Sequence, residues 1–265
     1  GISVNGCQAT VRQVLREGDT LVLRLEDQEN EINEDILPVK MEISTVYEDE
    51  GVIIVNKAGG MPVHPSHNHH EDTLANGMAY YFKERGIPFN FRAVNRLDRD
   101  TSGLVIVAKS RMAANQFSRA LKDRSIKKEY IAILCGSLEK KQGRITTHIK
   151  RQEQSIITRC NCSEGEGDIA ITDYEVIAEG GGLSLVRAYP ITGRTHQLRV
   201  HFSGLGCAIL GDSLYGQASR EIGRHALHAR SLEFQHPFSN EDMVICAEVP
   251  EDMARIIKEK IIVED

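Results

Sequence analysis

Residues 92–110, RAVNRLDRDTSGLVIVAKS, hold the side chains best suited to chemistry. Asp98 stands between Arg96 and Arg99 in sequence, and nearby cations keep a carboxylate ionised and lower its pKa. An ionised, oriented aspartate can serve as a nucleophile or a general base. By residue type alone, an Asx-type turn tied down by surface salt bridges is the simpler account. A second dense stretch, TGRTHQLRVH, brings Arg194, Thr195, His196, Gln197, Leu198 and Arg199 together. Taken alone, its two arginines read as surface charge, and Tyr130 in SIKKEYIAIL reads as a core aromatic.

Rigid elements must aim these groups. Leu104 to Ala108 is an unbroken apolar run suited to a strand buried on both faces, so the polar turn opens onto a core strand. Val52 to Val55 is another such run. Leu74, Met78, Tyr81 and Phe82 recur at helical spacing within Asp72 to Arg85, with Gly86 as the stop. Ser110 is a good N-cap for a helix through Arg124, whose apolar stripe is Ala113, Phe117, Ala120 and Leu121. Residues 143–177 read as strands joined by polar turns, a mostly antiparallel sheet, and Leu183 to Ala188 as a further strand. Thr195 is expected to cap a helix carrying Leu198, Phe202 and Leu205 on one face. Pro250 to Lys260 reads as a terminal helix. At the N-terminus, short alternating strands flank turns at Val4-Asn5-Gly6 and Gly18-Asp19, and residues 30–41 read as a linker.

The chain's 265 residues suit one sizeable domain with a small appendage. No run approaches the roughly 18 apolar residues of a membrane span. Nor does a charged region followed by an apolar stretch open the sequence, so no secretory signal is expected. Six scattered cysteines without a CxxC pair fit reduced thiols in a cytoplasmic protein. The net charge of −6 hides an asymmetry. Residues 1–50 carry 12 acidic and 4 basic side chains, whereas residues 92–128 carry 10 basic and 3 acidic, a local footprint for binding phosphates.

The string NRLDRDTSG followed by LVIVAK resembles the central motif of the RluA-type RNA pseudouridine synthases, (H/N)RLDxxTSGLxxxAK, with Asn95 in place of the commoner His. Lys128, Tyr130 and Ala132 are similar to the family's KxYxA motif, and TGRTHQLRVH with ILGDSLYG to its third. Asn56 to Pro65 resembles NKPxGxxVHP, with Ala58 replacing a Pro, and the whole resemblance spans residues 45–249. It implies an α/β (α+β) pseudouridine-synthase fold: a mixed, mainly antiparallel sheet flanked by helices, here with a small N-terminal β appendage. The catalytic domain would be residues 42–265. Residues 1–29 resemble the second half of an alpha-L RNA-binding module; no counterpart of its helical first half precedes them here, and their acidity counts against RNA binding.

The resemblance implies Asp98 as the catalytic aspartate, Tyr130 against the target base, and Arg199 as the ion-pair partner of Asp98. Leu198 would wall the base, and Arg96, Arg194, Thr195, His196 and Gln197 would bind substrate. The substrate would be structured RNA, most commonly large-subunit ribosomal RNA, with tRNA as the alternative. The protein is expected to act as a monomer. Isomerising uridine gains and loses no atom, and the sequence has no GxxxxGK[ST] loop or strand–GxGxxG–helix unit, so no cofactor is expected. His64, His67, His69 and His70 could suggest zinc, but neither HExxH nor a cysteine partner set accompanies them, so no metal is assigned. A metal-dependent hydrolase and a non-catalytic RNA-binding or ribosome-assembly protein are the competing classes.

Overall fold

The computed structural model describes residues 1–10, 12–23, 36–153, 155 and 157–261. The chain divides into two compact units, Gly1–Asn33 and Glu34–Asp265. Part of the expected linker, residues 30–35, lies outside the described residues.

In the first unit β1 (Ile2–Val4) pairs antiparallel with both β2 (Cys7–Gln8) and β3 (Leu21–Leu23). The expected hairpin turn is there. Asn5 and Gly6 both have positive φ, 51° and 80°, as a two-residue turn needs to match the strand twist. At the second expected turn Gly18 has φ 92°, and the Asp19 carboxylate accepts from Asn5 Nδ2 and the Arg16 N–H, both at 2.8 Å.

The second unit is built on β5 (Val52–Lys57) and β6 (Ser102–Ala108), which pair antiparallel, with β4 (Thr45–Glu48) outside them. Alternation explains why both apolar runs are continuous. Ile53, Val55, Val105 and Val107 face one way, onto Leu74, Met78 and Phe82 of α1 (Leu74–Lys83). Val52, Ile54, Leu104 and Ile106 face the other, onto Phe117 of α2 (Arg111–Lys122). Ser110 caps α2 as its sequence predicts, accepting from the Ala113 N–H at 3.1 Å. The first helix is shorter than its periodicity suggests because Thr73, not a residue before it, forms the capping box with Asn76.

The sheet continues past β6 through β12 (Leu227–Gln235), β7 (Lys127–Cys135), β11 (Leu183–Pro190), β10 (Asp168–Gly180), β8 (Gln142–Arg151) and β9 (Arg159–Cys162). Strand β13 (Asp242–Cys246) pairs with β12. Among the described strands only β6 and β12 run parallel, so the sheet is mixed and mainly antiparallel. Two further helices, α3 (Gln197–Gly204) and α4 (Glu251–Lys260), complete the unit.

The parallel junction constrains one residue tightly. Gly103 faces Ala229 in register with φ +116°, and a Cβ there would lie 2.3 Å from the Ala229 carbonyl oxygen and 2.5 Å from its nitrogen. Gly103→Ala must move backbone rather than a flexible side chain. We expect it to lower the unfolding free energy by about 2–3 kcal/mol, read by urea titration.

The start of α3 corrects the sequence reading. Thr195 does not cap it; His196 precedes the first helical residue in a left-handed conformation, φ 58°, with no side-chain cap. Leu198 and Phe202 enter the core as expected, but Leu205 is exposed. The helix is only about two turns long, so Leu205 falls at its C-cap, beyond the buried face.

Three buried histidines set an acid limit. His201 sits between the hydroxyls of Thr147 and Thr172, His225 meets Thr101 Oγ1, and His228 meets Ser102 Oγ. Burial lowers each pKa from 6.5 to about 4. A group whose folded pKa is depressed takes up its proton more readily when unfolded. Stability should therefore be full above pH 6.5 and fall as pH drops from 6.5 towards 4. Urea midpoints at half-unit steps check this; a flat profile across that window would contradict it.

Candidate active site

The Asp98 turn is held from beneath. The Thr101 N–H donates to the Asp98 carbonyl at 3.1 Å, closing the turn. Lys57, fully buried at the end of β5, donates to the carbonyls of Ala58, Met61 and Arg99 at 2.8, 2.8 and 2.9 Å. Burial draws its pKa down to about 7, against the pull of Asp100. Arg224 Nη1 reaches the Asp100 carbonyl at 3.1 Å. Asn95 clips the other side: its Nδ2 donates to the Leu104 carbonyl and its Oδ1 accepts from the Ile106 N–H, at 3.1 and 2.7 Å. That side chain thus completes the edge of β6, and an amide supplies the donor and acceptor this requires.

The cations around Asp98 are not the ones its sequence neighbours suggest. Arg99 turns away and grips Asp100 at 2.9 and 3.0 Å. Arg199 comes instead from α3. Its Nη1 donates to Asp98 Oδ2 at 3.3 Å, and its Nε and Nη2 hold Asp212 bidentately at 2.7 and 2.8 Å. The bidentate partner is therefore Asp212, whose side chain is fully buried, and Asp98 receives one remaining nitrogen. Burial opposes ionisation of Asp212, but the hydrogen bonds and charge of Arg199 outweigh it and hold the carboxyl below its usual range.

His196 Nε2 lies 3.8 Å from the same Asp98 oxygen. Its Nδ1 meets Tyr215 Oη at 2.8 Å, and that oxygen already accepts the Arg159 N–H at 2.8 Å. The phenol and the imidazole share one hydrogen bond, and the other ring nitrogen, Nε2, faces Asp98. Burial lowers the His196 pKa, against the pull of Asp98. Sequence reasoning missed Asp212 and Tyr215. Both lie in ILGDSLYG, and an acid one glycine after the apolar pair Ile209-Leu210 was the available signal.

These groups open onto a cleft of about 550 Å³. Asp98, Tyr130, His196, Leu198 and Arg199 line it, with Arg96, Lys122, Arg124, Lys128 and Arg194 as its cations. Burial, and then the charge of Asp98, push the Tyr130 pKa above its ordinary value, so the phenol is neutral. Burial lowers the pKa of Lys128. Two of the residues expected to bind substrate are placed differently from the others. The Gln197 amide is spent on structure, accepting from Thr192 Oγ1 and the Arg194 N–H and donating to Ile171 O and Thr172 Oγ1. Thr195 does not line the cleft but an adjacent hollow. The histidine loop is occupied locally: His69 pairs with Asp72 at 2.7 Å and His64 packs edge-on to Phe91. Among the described residues no group of three or more His, Cys, Asp or Glu side chains is arranged to hold a metal.

Residues 51–204 match the model of the RNA pseudouridylate synthase family. The chain belongs to the RNA pseudouridine synthases. It is 37% identical over 257 residues to YjbO of Bacillus subtilis, an uncharacterized RNA pseudouridine synthase, covering 97% of this chain and 89% of that protein. It is 36% identical over 234 residues to ribosomal large subunit pseudouridine synthase D of Zymomonas mobilis, covering 83% and 74%. Among solved structures, human RNA pseudouridylate synthase domain containing 1 superposes with a TM-score of 0.66 at 32% identity, over 78% of this chain and 83% of that one. The synthase is thus an isomerase, and the cleft over β6, β7 and α3 lies within or beside the matched residues.

Proposed function

We propose that this synthase isomerises uridine in large-subunit ribosomal RNA, with Asp98 as the catalytic group. The reading is carried by the convergence of Asp98, Tyr130 and Arg199, from three distant segments, on one cation-ringed cleft. Relatives named for the large ribosomal subunit favour that RNA over tRNA. In the reaction the bond from uracil N1 to ribose C1′ breaks, the base turns, and C5 bonds to C1′. The C5 hydrogen leaves as a proton and N1 gains one, so the formula is unchanged.

A stacked uridine cannot reach the cleft floor, so the base is extruded at a cost of a few kcal/mol. Cleft cations offset that cost through phosphate contacts, with Arg96 and Arg194 at the rim. Tyr130, a neutral aromatic, gives the base a new stacking partner, and Leu198 closes the wall behind it. The Arg199 and His196 nitrogens nearest Asp98 both lie on the side of Oδ2. That leaves Oδ1 to attack the sugar or base, or to take a sugar proton. The six free cysteines suit a reducing compartment, the cytoplasm.

Tritium release tests the RNA class. Transcripts of large-subunit ribosomal RNA and of tRNA, each labelled at uracil C5, are incubated separately with the protein. Release from the ribosomal transcript alone is expected; release from tRNA alone would overturn the substrate assignment.

A further inference from the structure

A second hollow, of about 520 Å³, opens beside the cleft and shares Gly193 and Arg194 with it. Its walls carry Lys150, Arg151, Arg159 and Arg194 against a single acid, Asp168. Arg151 and Arg159 are direct Cα partners across the β8–β9 ladder. Directly opposed side chains on one sheet face lie close together, and like charges there are destabilising.

Little among the described residues relieves that repulsion. Arg159 Nη1 donates to the carbonyls of Ile157 and Thr158, at 3.1 and 3.3 Å. Neither arginine forms an ion pair among the described residues, whereas Lys150 has Glu166 at 2.9 Å and Arg194 has Asp168 at 3.7 Å. An opposed arginine pair carries a repulsion that an anion from outside would relieve. The exposed Thr195 and the bare backbone of Gly193 line the same wall. A phosphate can therefore approach the main chain closely there. Guanidinium groups bind phosphate through paired N–H donors, which suits two arginines facing one group.

We propose that this hollow holds the sugar-phosphate backbone of the RNA strand beside the target uridine, with Arg151 and Arg159 straddling a phosphate. The assignment rests on the reading that the cleft turns over an RNA uridine. It gives Thr195 a substrate contact, one hollow away from the base.

The test compares the wild type with the double variant Arg151→Ala, Arg159→Ala. Affinity for a large-subunit ribosomal RNA transcript is measured by filter binding across a salt series, and tritium release is measured in parallel. We expect roughly tenfold weaker binding at moderate salt and a plot of log affinity against log salt shallower by about 0.7–1. The kinetic loss should appear in KM more than in kcat. The pair Arg151→Lys, Arg159→Lys should keep most of the salt slope. The alanine pair should be no less stable than the wild type, since it removes a repulsion; if it fails to fold, Arg151→Gln with Arg159→Gln is read the same way. Unchanged affinity and slope, with an active wild type, would overturn the hollow. A wild type that releases no tritium while the slope still falls would keep the hollow as an RNA site and remove the isomerase substrate reading.

Discussion

Asp98→Asn should lower turnover by about 10³-fold or more, while binding of RNA stays equal or becomes slightly tighter. The substitution keeps the shape of the side chain and removes its charge and its basicity. Arg199 does not swing free, because its bidentate hold on Asp212 at 2.7 and 2.8 Å does not involve Asp98. The Asp98 side chain keeps 27% exposure and one hydrogen bond to Arg199 at 3.3 Å, so the fold has little to lose. Removing a negative charge from a cleft lined by Arg96, Lys128, Arg194 and Arg199 can only favour a polyanion. Turnover within tenfold of the wild type would mean that another group carries the chemistry.

Asp212→Ala should have the largest effect on stability, about 3–5 kcal/mol, because it strands the Arg199 charge in a buried site. The carboxylate is fully buried and the Arg199 side chain is only 9% exposed. The substitution also orphans the N–H groups of Leu214 and Tyr215, which donate to Asp212 Oδ1 at 3.0 and 3.2 Å. A fall in Tm of roughly 10 °C is expected. Turnover should fall with it, since nothing then fixes the guanidinium beside Asp98. Calorimetry and tritium release on the same preparation check both effects; a Tm within two degrees or so of the wild type would contradict the ion-pair account.

Much of this was legible because certain residues dictate their surroundings. The apolar runs at Val52 and Leu104 suit strands covered on both faces, and Ser110 is a good N-cap for the helix that follows. Asp98, Tyr130 and Arg199 were readable as a set through motif resemblance, not through spacing, since they are far apart in the chain. What sequence order concealed was pairing. Arg99 is adjacent to Asp98 yet binds Asp100, because the turn aims it outward. Gln197 looked available to substrate, but a buried amide must satisfy its own donors and acceptors, and here four local partners do so. Thr195 failed as a cap because His196 takes the left-handed step into α3. Asp212 and Tyr215 needed the fold itself to bring them beneath Arg199 and His196.

The most direct measurement is nucleoside chromatography of a large-subunit ribosomal RNA transcript digested after incubation with the wild type or with Asp98→Asn. The account predicts pseudouridine in the wild-type digest, in amount equal to the tritium released from a C5-labelled transcript, and none from the variant. Pseudouridine formed at equal rates by both proteins would contradict the central role of Asp98.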